Sequence, residues 1–412
     1  MTVRKAVGAF IRRFSGNFCL PHDSVHNHAA SFLEGIAMKK ITITMKPTNA
    51  CNMRCRHCYH AEEGFDALEL DRNHARRMME IAIREYDHVV MVFHGGEPTL
   101  WGEAAFQAIL DDQRVLQAEK PGITFTNIIQ TNGLLLDDEW IRLFKDHHVH
   151  VGISYDGPHN DDLRSHSLRI YQNMQKMKAA GVPFGVLCVE SQKSIHHLLE
   201  TYEWFKAQGF DFKILALFMN GAAQELSSLE LDFDDYVTEM SKVYRIWLHD
   251  TSCNICMHTF EEFLKLSDEN YCLKYGGSCV YHRICINPNG DLYPCGRPYD
   301  DAFCLGNIES YERISDAFQS PAYQKFASLS EERNKQCQAT CKFYGICKGG
   351  CVSSAILEGF YEKIQNPTCI RAGKLLSGIL QVNQEICREY KACNDTSTFN
   401  PRALRIMKKV WS

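Results

Sequence analysis

The chain has 412 residues, of which 45% are hydrophobic, and its 45 basic side chains nearly balance its 50 acidic ones. Single cores seldom grow beyond about 250–300 residues, so this length predicts two domains. The balanced charge gives no argument for a nucleic-acid partner, and no apolar stretch reaches the roughly 18 residues of a membrane span. Arginines in MTVRKAVGAFIRRF interrupt the apolar core that a signal peptide requires, so we expect a cytoplasmic protein.

Between residues 40 and 220, short β-rich segments alternate with segments of helical periodicity. The predicted strands are ITITM (41–45), HVVMVF (88–93), ITFTNIIQ (123–130), VHVGISY (149–155), FGVLCVE (184–190) and FKILALF (212–218). Between the first two, apolar residues recur on one helical face: Ala75, Met78, Met79, Ala82, Ile83 and Tyr86. Such alternation predicts an α/β fold, a partial TIM-like (β/α)6 barrel of parallel strands.

Each of the first four strands is followed by a distinctive motif. CNMRCRHCYH follows the first strand, HGGEP the second, QTNG the third and SYDGP the fourth. In a βα barrel the loops after the strands gather at the C-terminal rim, where such folds place their chemistry. We therefore expect the four motifs to form one site.

Three cysteines, Cys51, Cys55 and Cys58, lie within eight residues. Three thiolates can hold a 4Fe–4S cluster with one iron left open, whereas electron-transfer clusters and structural zinc ions usually take four ligands. This C-x3-C-x2-C spacing, followed by Tyr59, resembles the cluster loop of radical S-adenosylmethionine (SAM) enzymes. The resemblance implies SAM on the open iron and its reductive cleavage to a 5′-deoxyadenosyl radical that abstracts hydrogen. The alternative is a zinc knuckle with His57 or His60 as fourth ligand.

The motif after the second strand is similar to the GGEP motif of the same family. It consists of Gly95, Gly96, Glu97 and Pro98. In the family this motif lies against the methionine end of SAM. Glycines let backbone approach a ligand closely, and a carboxylate can accept a hydrogen bond from an amine.

The next strand ends also resemble family motifs that bind SAM or substrate. QTNG looks like the TNG strand end, whose side chains can bond the ribose or carboxylate of SAM or the substrate backbone. SYDGP and the arginine after it resemble the S-x-D-G-P…R segment, which implies a serine and an arginine near the SAM carboxylate. A leucine of the fifth strand is expected to line the adenine. The residues so assigned are Gln130, Thr131, Asn132, Ser154, Asp156, Arg164 and Leu187.

A second group of cysteines lies toward the C-terminus. Nineteen cysteines in a chain without a secretory signal favour metal binding, since disulfides are rare in a reducing cytosol. CVYHRICINPNGDLYPC and CQATCKFYGICKGGC, followed by Cys369, resemble the SPASM extension, which binds two auxiliary 4Fe–4S clusters. The resemblance assigns the first auxiliary cluster to Cys272, Cys279, Cys295 and Cys351. It assigns the second to Cys337, Cys341, Cys347 and Cys369.

Two details of this group depart from the common SPASM pattern. Three residues separate Cys337 from Cys341, where two are usual. Cys272 precedes Cys279 by seven residues, where six are usual, and without Cys272 the first auxiliary cluster has an open iron able to bind substrate. Cys285 is an alternative ligand or a buried thiol. A pair of zinc ribbons is the competing hypothesis for the whole group.

Four segments follow from these assignments. They are an N-terminal extension (1–36), a radical SAM barrel (37–265), a SPASM domain with two auxiliary clusters (266–372) and a C-terminal helical tail (373–412). The resemblance also implies that many peptide maturases carry an N-terminal leader-binding module of roughly 80 residues. The extension of this chain is shorter than that module. Leader recognition would then require a separate protein or the barrel itself.

The resemblance implies a radical SAM oxidoreductase that modifies a ribosomally synthesised peptide. We expect it to form a C–C (cyclophane) or C–S (thioether) crosslink in a precursor peptide with a leader. A flavodoxin or ferredoxin would supply the electron. The sequence leaves open the bond formed, the catalytic base and the oligomeric state.

Two further hypotheses remain for the function. One is an anaerobic sulfatase-maturating enzyme that makes formylglycine. Those enzymes place an aspartate directly after the G-x4-C cysteine, where this chain has Gly296, so Asp291, Asp300 or Asp301 would have to replace it. The other, from a different class, is a non-catalytic iron–sulfur or zinc-binding scaffold.

Overall fold

The computed structural model describes residues 39–217, 219, 221–266, 279–297, 301–357, 359 and 367–411. The predicted N-terminal extension, Cys272 and Asp300 lie outside these residues. No helix in the described part of the chain has the length and apolarity to cross a membrane.

The described strands form one sheet, and the first six lie within two residues of their predicted bounds. They are β1 Lys40–Met45, β2 His88–Phe93, β3 Thr124–Thr131, β4 His150–Ser154, β5 Phe184–Glu190, β6 Asp211–Ala216, β7 Arg283–Ile286, β8 Asp291–Tyr293 and β9 Gly306–Asn307. The order across the sheet is β6-β5-β4-β3-β2-β1-β7-β8-β9. Strands β1 to β6 pair in parallel, which confirms the predicted partial barrel.

Helices connect the strands and continue after them. They are α1 Arg72–Ile83, α2 Glu103–Glu119, α3 Asp138–Asp146, α4 Asn160–Leu163, α5 Ser167–Ala179, α6 Leu198–Gln208, α7 Phe233–His249, α8 His258–Lys265, α9 Ile314–Phe318, α10 Pro321–Thr340, α11 Tyr344–Cys347, α12 Val352–Leu357, α13 Pro367–Ala392 and α14 Pro401–Val410. Short 3-10 helices follow three of the strand ends, at Tyr59–Glu63, Pro98–Trp101 and Gly157–His159. Another, Ile195–His197, leads into α6.

Helix α1 is the predicted crossover between β1 and β2. Its N-cap, Asp71, accepts a hydrogen bond from the backbone N–H of Asn73 at 2.7 Å, which satisfies a donor that the helix itself cannot pair. The predicted apolar face is buried up to Ile83. Tyr86 lies beyond the helix, because the backbone N–H groups of Glu85 and Tyr86 both bond the carbonyl of Ala82 and close the last turn.

The cysteine-rich segment is joined to the barrel through the sheet. Strand β7 pairs in parallel with β1, with Thr44 opposite Cys285 and Met45 opposite Ile286. Strands β8 and β9 then extend the sheet in antiparallel fashion. Arg84, directly after α1, also donates to the carboxylate of Glu312 at 2.6 Å. Strand β1 is thus paired on both edges, with β7 on one side and with β2 on the other.

The C-terminal helices pack on the outer helices of the barrel. The hydroxyl of Tyr244 on α7 donates to Asn383 on α13 at 2.7 Å, and Asn383 donates in turn to the carbonyl of Phe263 at 2.8 Å. Helix α14 lies against α8, where Arg402 donates to Glu261 at 2.6 Å. This tail therefore belongs to the helical layer around the sheet.

Candidate functional site

The glycines of the GGEP motif bring its backbone against the first cysteine loop. The N–H of Gly96 donates to the carbonyl of Thr48 at 3.0 Å, and that of Glu97 donates to the carbonyl of Ala50 at 2.7 Å. A Cβ atom on Gly96 would lie 2.1 Å from the Ala50 oxygen. Gly95 has a φ of 130°, which side-chain-bearing residues rarely adopt. The partner that these glycines approach is thus the cysteine loop itself.

Glu97 joins the ends of β2 and β3. Its carboxylate accepts hydrogen bonds from Thr99 (N at 3.0 Å and Oγ1 at 2.6 Å), from Thr131 Oγ1 at 2.7 Å and from the N–H of Asn132 at 2.7 Å. Burial raises the pKa of Glu97, and these hydrogen bonds oppose the rise. The carboxylate that we expected to meet the amine of SAM therefore also has a structural task, since it holds the GGEP and TNG motifs together.

Asn132 connects the end of β3 to the cysteine loop. Its Nδ2 donates to Asn52 Oδ1 at 2.7 Å and lies 3.9 Å from the Sγ of Cys51. Its Oδ1 accepts from the N–H of Leu134 at 2.9 Å, which fixes the orientation of the amide. The structure thus places this predicted residue directly beside the predicted cluster.

Gln130 and Ser154 link the ends of β3 and β4. Gln130 Nε2 donates to Ser154 Oγ at 2.9 Å. The side chain of Gln130 also lies over Gly152, where a Cβ atom would come within 2.2 Å of its Oε1. The two polar side chains therefore form a single unit at the rim.

A buried ion pair follows β4 and reaches the cysteine loop. Arg164 Nε donates to Asp156 Oδ2 at 2.8 Å, and Asp156 Oδ1 accepts from the N–H of Val189 at 2.8 Å. Both side chains are less than 10% exposed. Burial raises the pKa of the Cys55 thiol, while the charge of Arg164 and a hydrogen bond from it oppose the rise. The Asp156 carboxylate thus binds Arg164 and the backbone of β5, and Arg164 also contacts Cys55.

The thiols of Cys51, Cys55 and Cys58 are half-buried. Burial raises the pKa of Cys51 to about 11, and the charges of Glu97 and of the other two thiolates add to the rise. Ionising all three thiols there requires a compensating cation, which an iron–sulfur core supplies.

The three thiols are not among the sets of described His, Cys, Asp and Glu residues whose ligand atoms all lie within 4.8 Å of one another. Two thiolates on one tetrahedral zinc ion are about 3.8 Å apart, so a mononuclear zinc ion would require the thiols to move closer together. Burial lowers the pKa of His57 well below its usual value, and its Nδ1 has no hydrogen-bond partner among the described residues.

Three aromatic rings lie beside the cysteine loop. Tyr59 Oη is 3.3 Å from His94 Nε2, and His60 Nε2 is 3.3 Å from His94 Nδ1. The N–H of Gly95 also bonds His94 Nδ1 at 2.7 Å. His94 is a residue that we did not single out from the sequence, although it stands directly before the GGEP motif.

Leu187 lies in β5 opposite Ser154 of β4. It is partly exposed, whereas the next residue, Cys188, is fully buried and donates to Glu190 Oε1 at 3.5 Å. Successive side chains of a strand point to opposite faces, so Leu187 faces away from this buried acid.

Six of the later cysteines interact with one another in two groups of three. Burial raises the pKa of Cys279 to about 12, and the thiolates of Cys351 and Cys295 are the next causes. Burial likewise raises the pKa of Cys337, where Cys369 and Cys341 contribute. The two sets interleave along the chain, since Cys351 joins the first and Cys369 the second. Cys347 is the last residue of α11, six residues after Cys341.

The longer spacing between Cys337 and Cys341 has a helical explanation. The N–H of Cys341 bonds the carbonyl of Cys337 at 2.8 Å, so the two cysteines lie one helical turn apart at the end of α10. Arg333, one turn earlier, donates to the Sγ of Cys369 at 3.0 Å and to the carbonyl of Gly349 at 2.9 Å. Arg333 is a second residue that sequence patterns did not reveal.

The position that carries an aspartate in sulfatase-maturating enzymes cannot hold a side chain here without movement. A Cβ atom on Gly296 would lie 2.6 Å from Thr44 Cγ2. Asp291 is engaged by the amides of Asn289 at 2.7 Å and Asn307 at 3.1 Å, and Asp301 lies exposed on a 3-10 helix. Cys285 is fully buried in β7 and bonds Asn287, so it stands as a buried thiol.

Two family models match the regions that carry these two sets of cysteines. The model of the radical SAM superfamily matches residues 45–221, and that of the SPASM iron–sulfur cluster-binding domain matches residues 278–342. This chain is a radical SAM enzyme with a SPASM domain. Its cofactors are accordingly SAM and iron–sulfur clusters.

Known relatives of this radical SAM enzyme include two kinds of sulfatase-maturating enzyme. It is 26% identical to a cysteine-type anaerobic sulfatase-maturating enzyme from Clostridium perfringens, over 76% of this chain and 89% of the relative. It is also 26% identical to a serine-type enzyme from Klebsiella aerogenes, over 75% and 79% of the two chains. The solved structure of native anSMEcpe with bound AdoMet and Cp18Cys peptide shares the fold, with a TM-score of 0.71 at 22% identity, over 84% of this chain and 99% of that one.

Proposed function

We propose that the enzyme oxidises a cysteine or serine side chain of a peptide or protein to formylglycine. The observation that carries this proposal is the similarity to both types of sulfatase-maturating enzyme over three quarters of the chain. This proposal replaces peptide crosslinking, our first expectation from the sequence, as the leading hypothesis.

Cys51, Cys55 and Cys58 hold the initiating cluster in this proposal. When bound there, the cluster and SAM supply the 5′-deoxyadenosyl radical. The close hydrogen-bonded contact of Asn132 with Cys51 and the charge of Arg164 beside Cys55 support this assignment. Both contacts favour the thiolate form that a metal requires.

The surrounding strand ends orient SAM. Glu97 and Asn132 fix the loop that meets the methionine end, Gln130 and Ser154 offer polar contacts, and Leu187 supplies an apolar contact for the adenine. Tyr59 and the residues Gly95, Gly96, Pro98, Thr131, Asp156 and Arg164 complete the proposed SAM site. Pre-organisation by buried hydrogen bonds supports these roles, since the site then needs little rearrangement on binding.

The later cysteines bind the auxiliary clusters in the two predicted sets. The first set is Cys272, Cys279, Cys295 and Cys351, and the second is Cys337, Cys341, Cys347 and Cys369. The hydrogen bond from Arg333 to Cys369 supports a redox role for the second set, because hydrogen bonds to cluster sulfurs adjust the reduction potential.

The substrate change balances as a two-electron oxidation. The side-chain carbon loses a hydrogen atom to the radical, and the remaining substrate radical then loses a proton and an electron. Auxiliary clusters held by the later cysteines would accept this electron, and a flavodoxin or ferredoxin would supply the electron that starts each turnover. Serine gives the aldehyde directly, whereas cysteine gives a thioaldehyde that water hydrolyses with release of hydrogen sulfide.

Crosslinking of a precursor peptide is the second candidate, and Gly296 is the observation that favours it. This chain has glycine where an aspartate is expected of a formylglycine-forming enzyme, and Thr44 leaves little room for a side chain there. A substrate radical that adds to a second side chain would form a C–C or C–S bond once a proton and an electron had left, the electron to an auxiliary cluster and the proton to solvent, without that aspartate.

Mass spectrometry of a modified peptide distinguishes the two candidates. The cluster-reconstituted enzyme is incubated with SAM, a reductant and matched peptides that carry cysteine, serine or alanine at one position. Formylglycine is expected with the first two peptides, as an aldehyde that a hydrazide captures. A product that has lost hydrogen without capture by the hydrazide would support a crosslink and overturn the proposal.

A further inference from the structure

A cluster of metal-ligating side chains lies outside the cysteine sites. His159 ends the 3-10 helix that follows β4, His197 is the N-cap of α6, and Glu200 lies in the first turn of α6. Their potential ligand atoms all lie within 4.8 Å of one another, which makes them the one such group among the described residues. Two segments of backbone, the end of the 3-10 helix after β4 and the start of α6, thus bring two imidazoles and a carboxylate together.

Hydrogen bonding does not account for this arrangement. His197 Nδ1 lies 3.4 Å and His159 Nε2 lies 3.7 Å from Glu200 Oε2, and both distances exceed the usual 2.7–3.2 Å range of an N–H···O bond. His159 Nε2 is buried and has no hydrogen-bond partner among the described residues. A buried ring nitrogen without a partner is costly unless something else occupies its lone pair or its proton.

The spacing suits a metal ion. Ligand atoms about 2.0–2.2 Å from a tetrahedral ion lie about 3.3–3.6 Å from one another, close to both measured separations. The third pair, the two imidazole nitrogens, lies within 4.8 Å, so these side chains would rotate toward each other on binding the ion. Two imidazoles and a carboxylate suit zinc and its neighbours in the first transition series rather than calcium or magnesium.

We propose that His159, His197 and Glu200 bind one divalent transition-metal ion, with water completing the coordination. Solvent can reach the site, since the side chains of His197 and Glu200 are more than half exposed. The ion would connect the segment after β4 to α6, three residues from Asp156 and its pair with Arg164. An ion that binds the folded state alone stabilises it according to the ion concentration.

Titration calorimetry with nickel tests the site in the cluster-reconstituted enzyme. Nickel suits imidazole ligands, and the reconstituted clusters occupy the cysteines that would otherwise compete for it. We expect one saturable equivalent in the unmodified enzyme. Affinity should fall by about tenfold or more in His197→Ala and in Glu200→Gln, since even outer-sphere partners of a metal are worth that much.

His196→Ala is the matched control. His196 is the adjacent residue, is similarly exposed and faces Asp235 at 3.5 Å instead of the cluster. The control should retain the nickel site, and all variants should retain the visible absorption of the clusters and the circular dichroism of the fold. The proposal is overturned if the unmodified enzyme shows no saturable equivalent, or if His196→Ala and His197→Ala bind nickel alike.

The thermal midpoint gives a second measurement. Nickel should raise the midpoint of the unmodified enzyme and of His196→Ala, and it should leave that of His197→Ala unchanged. Equal shifts in all three proteins would contradict a site at these residues.

Discussion

Cys51, Cys55 and Cys58 lie on one loop held by the ends of neighbouring strands, whereas the later cysteines are spread over the turns beside β7 and β8 and over the helices α10 to α13. Backbone hydrogen bonds from the GGEP motif and the side chains of Asn132 and Arg164 reach the first loop. In the second region, Arg333 donates to the Sγ of Cys369, Ser353 Oγ lies 3.2 Å from the Sγ of Cys295, and the N–H of Ser354 donates to the Sγ of Cys351 at 3.5 Å. The initiating site is thus held by motifs at strand ends, and the auxiliary region by contacts from the helices α10 and α12.

The largest expected effect separates the two regions by their chemistry. Cys55→Ala should abolish formation of 5′-deoxyadenosine, because the initiating cluster loses one of three ligands. Cys337→Ala should still form 5′-deoxyadenosine but make little modified peptide. Liquid chromatography of both products measures the split. Equal loss of 5′-deoxyadenosine in the two variants would break the comparison.

Asp156→Asn tests how far buried electrostatics hold the first region. It leaves Arg164 buried without its charge partner, so we expect a loss of about 3–5 kcal/mol in the free energy of unfolding. Asp111→Asn is the control, because Asp111 and Arg114 form an exposed pair worth at most about 1 kcal/mol. Denaturant titration measures both, and similar losses would contradict the account.

Glu190 makes the free energy of unfolding depend on pH. Burial raises the pKa of Glu190 from 4.5 to about 7, although Ser194 donates to it. Between pH 4.5 and about 7 the folded state therefore keeps a proton on Glu190 that the unfolded state releases. The contribution of this group to the free energy of unfolding is complete below pH 4.5 and is lost as the pH rises through about 7. Glu190→Gln should remove this loss and gain about 2–3 kcal/mol at pH 8 relative to the unmodified enzyme. Unfolding curves that keep the same pH dependence in the variant would contradict this assignment.

Two glycines allow a matched test of backbone packing. Gly96→Ala forces a Cβ atom against the Ala50 carbonyl, so we expect a loss of about 1–3 kcal/mol and weaker SAM binding. Gly345→Ala, on α11 in the second region, meets no atom within 4 Å and should stabilise by about 0.5–1 kcal/mol. Calorimetric SAM binding and denaturant titration measure both variants. A Gly96→Ala variant with unchanged stability and SAM affinity would show that the contact between this position and the cysteine loop is not tightly packed.

The smallest effect concerns Arg333. Arg333→Gln removes a charge beside Cys369 and should lower the reduction potential of the second auxiliary cluster. The rate of 5′-deoxyadenosine formation should stay the same, which distinguishes this redox role from a general loss of structure. Redox titration monitored by electron paramagnetic resonance measures the potential, and an unchanged potential would exclude the role.

Local patterns in the sequence were sufficient to predict the strands and the motifs at their ends. The alternation of short apolar runs with helical periodicity gave six strands within two residues of their observed bounds. The cysteine sets followed from spacing and resemblance. Strand positions and motif spacings depend on residues that are close together in the sequence, so periodicity and spacing are enough to predict them.

Long-range contacts could not be predicted in this way. The pairing of β7 with β1 joins residues more than 200 positions apart, and no pattern in either strand records the partner. The same holds for the hydrogen bonds of Glu97 to Thr131 and Asn132. The helical register that accommodates Cys341 likewise depends on where α10 ends. Each depends on the assembled sheet or helix rather than on a local sequence.

The central claim is that a radical made at the first cysteine loop takes hydrogen from a cysteine or serine side chain. A peptide deuterated at the β-carbon of that residue tests it most directly. The account predicts deuterium in the 5′-deoxyadenosine that accompanies each formylglycine, as mass spectrometry would show. Aldehyde formation with 5′-deoxyadenosine free of deuterium would contradict it.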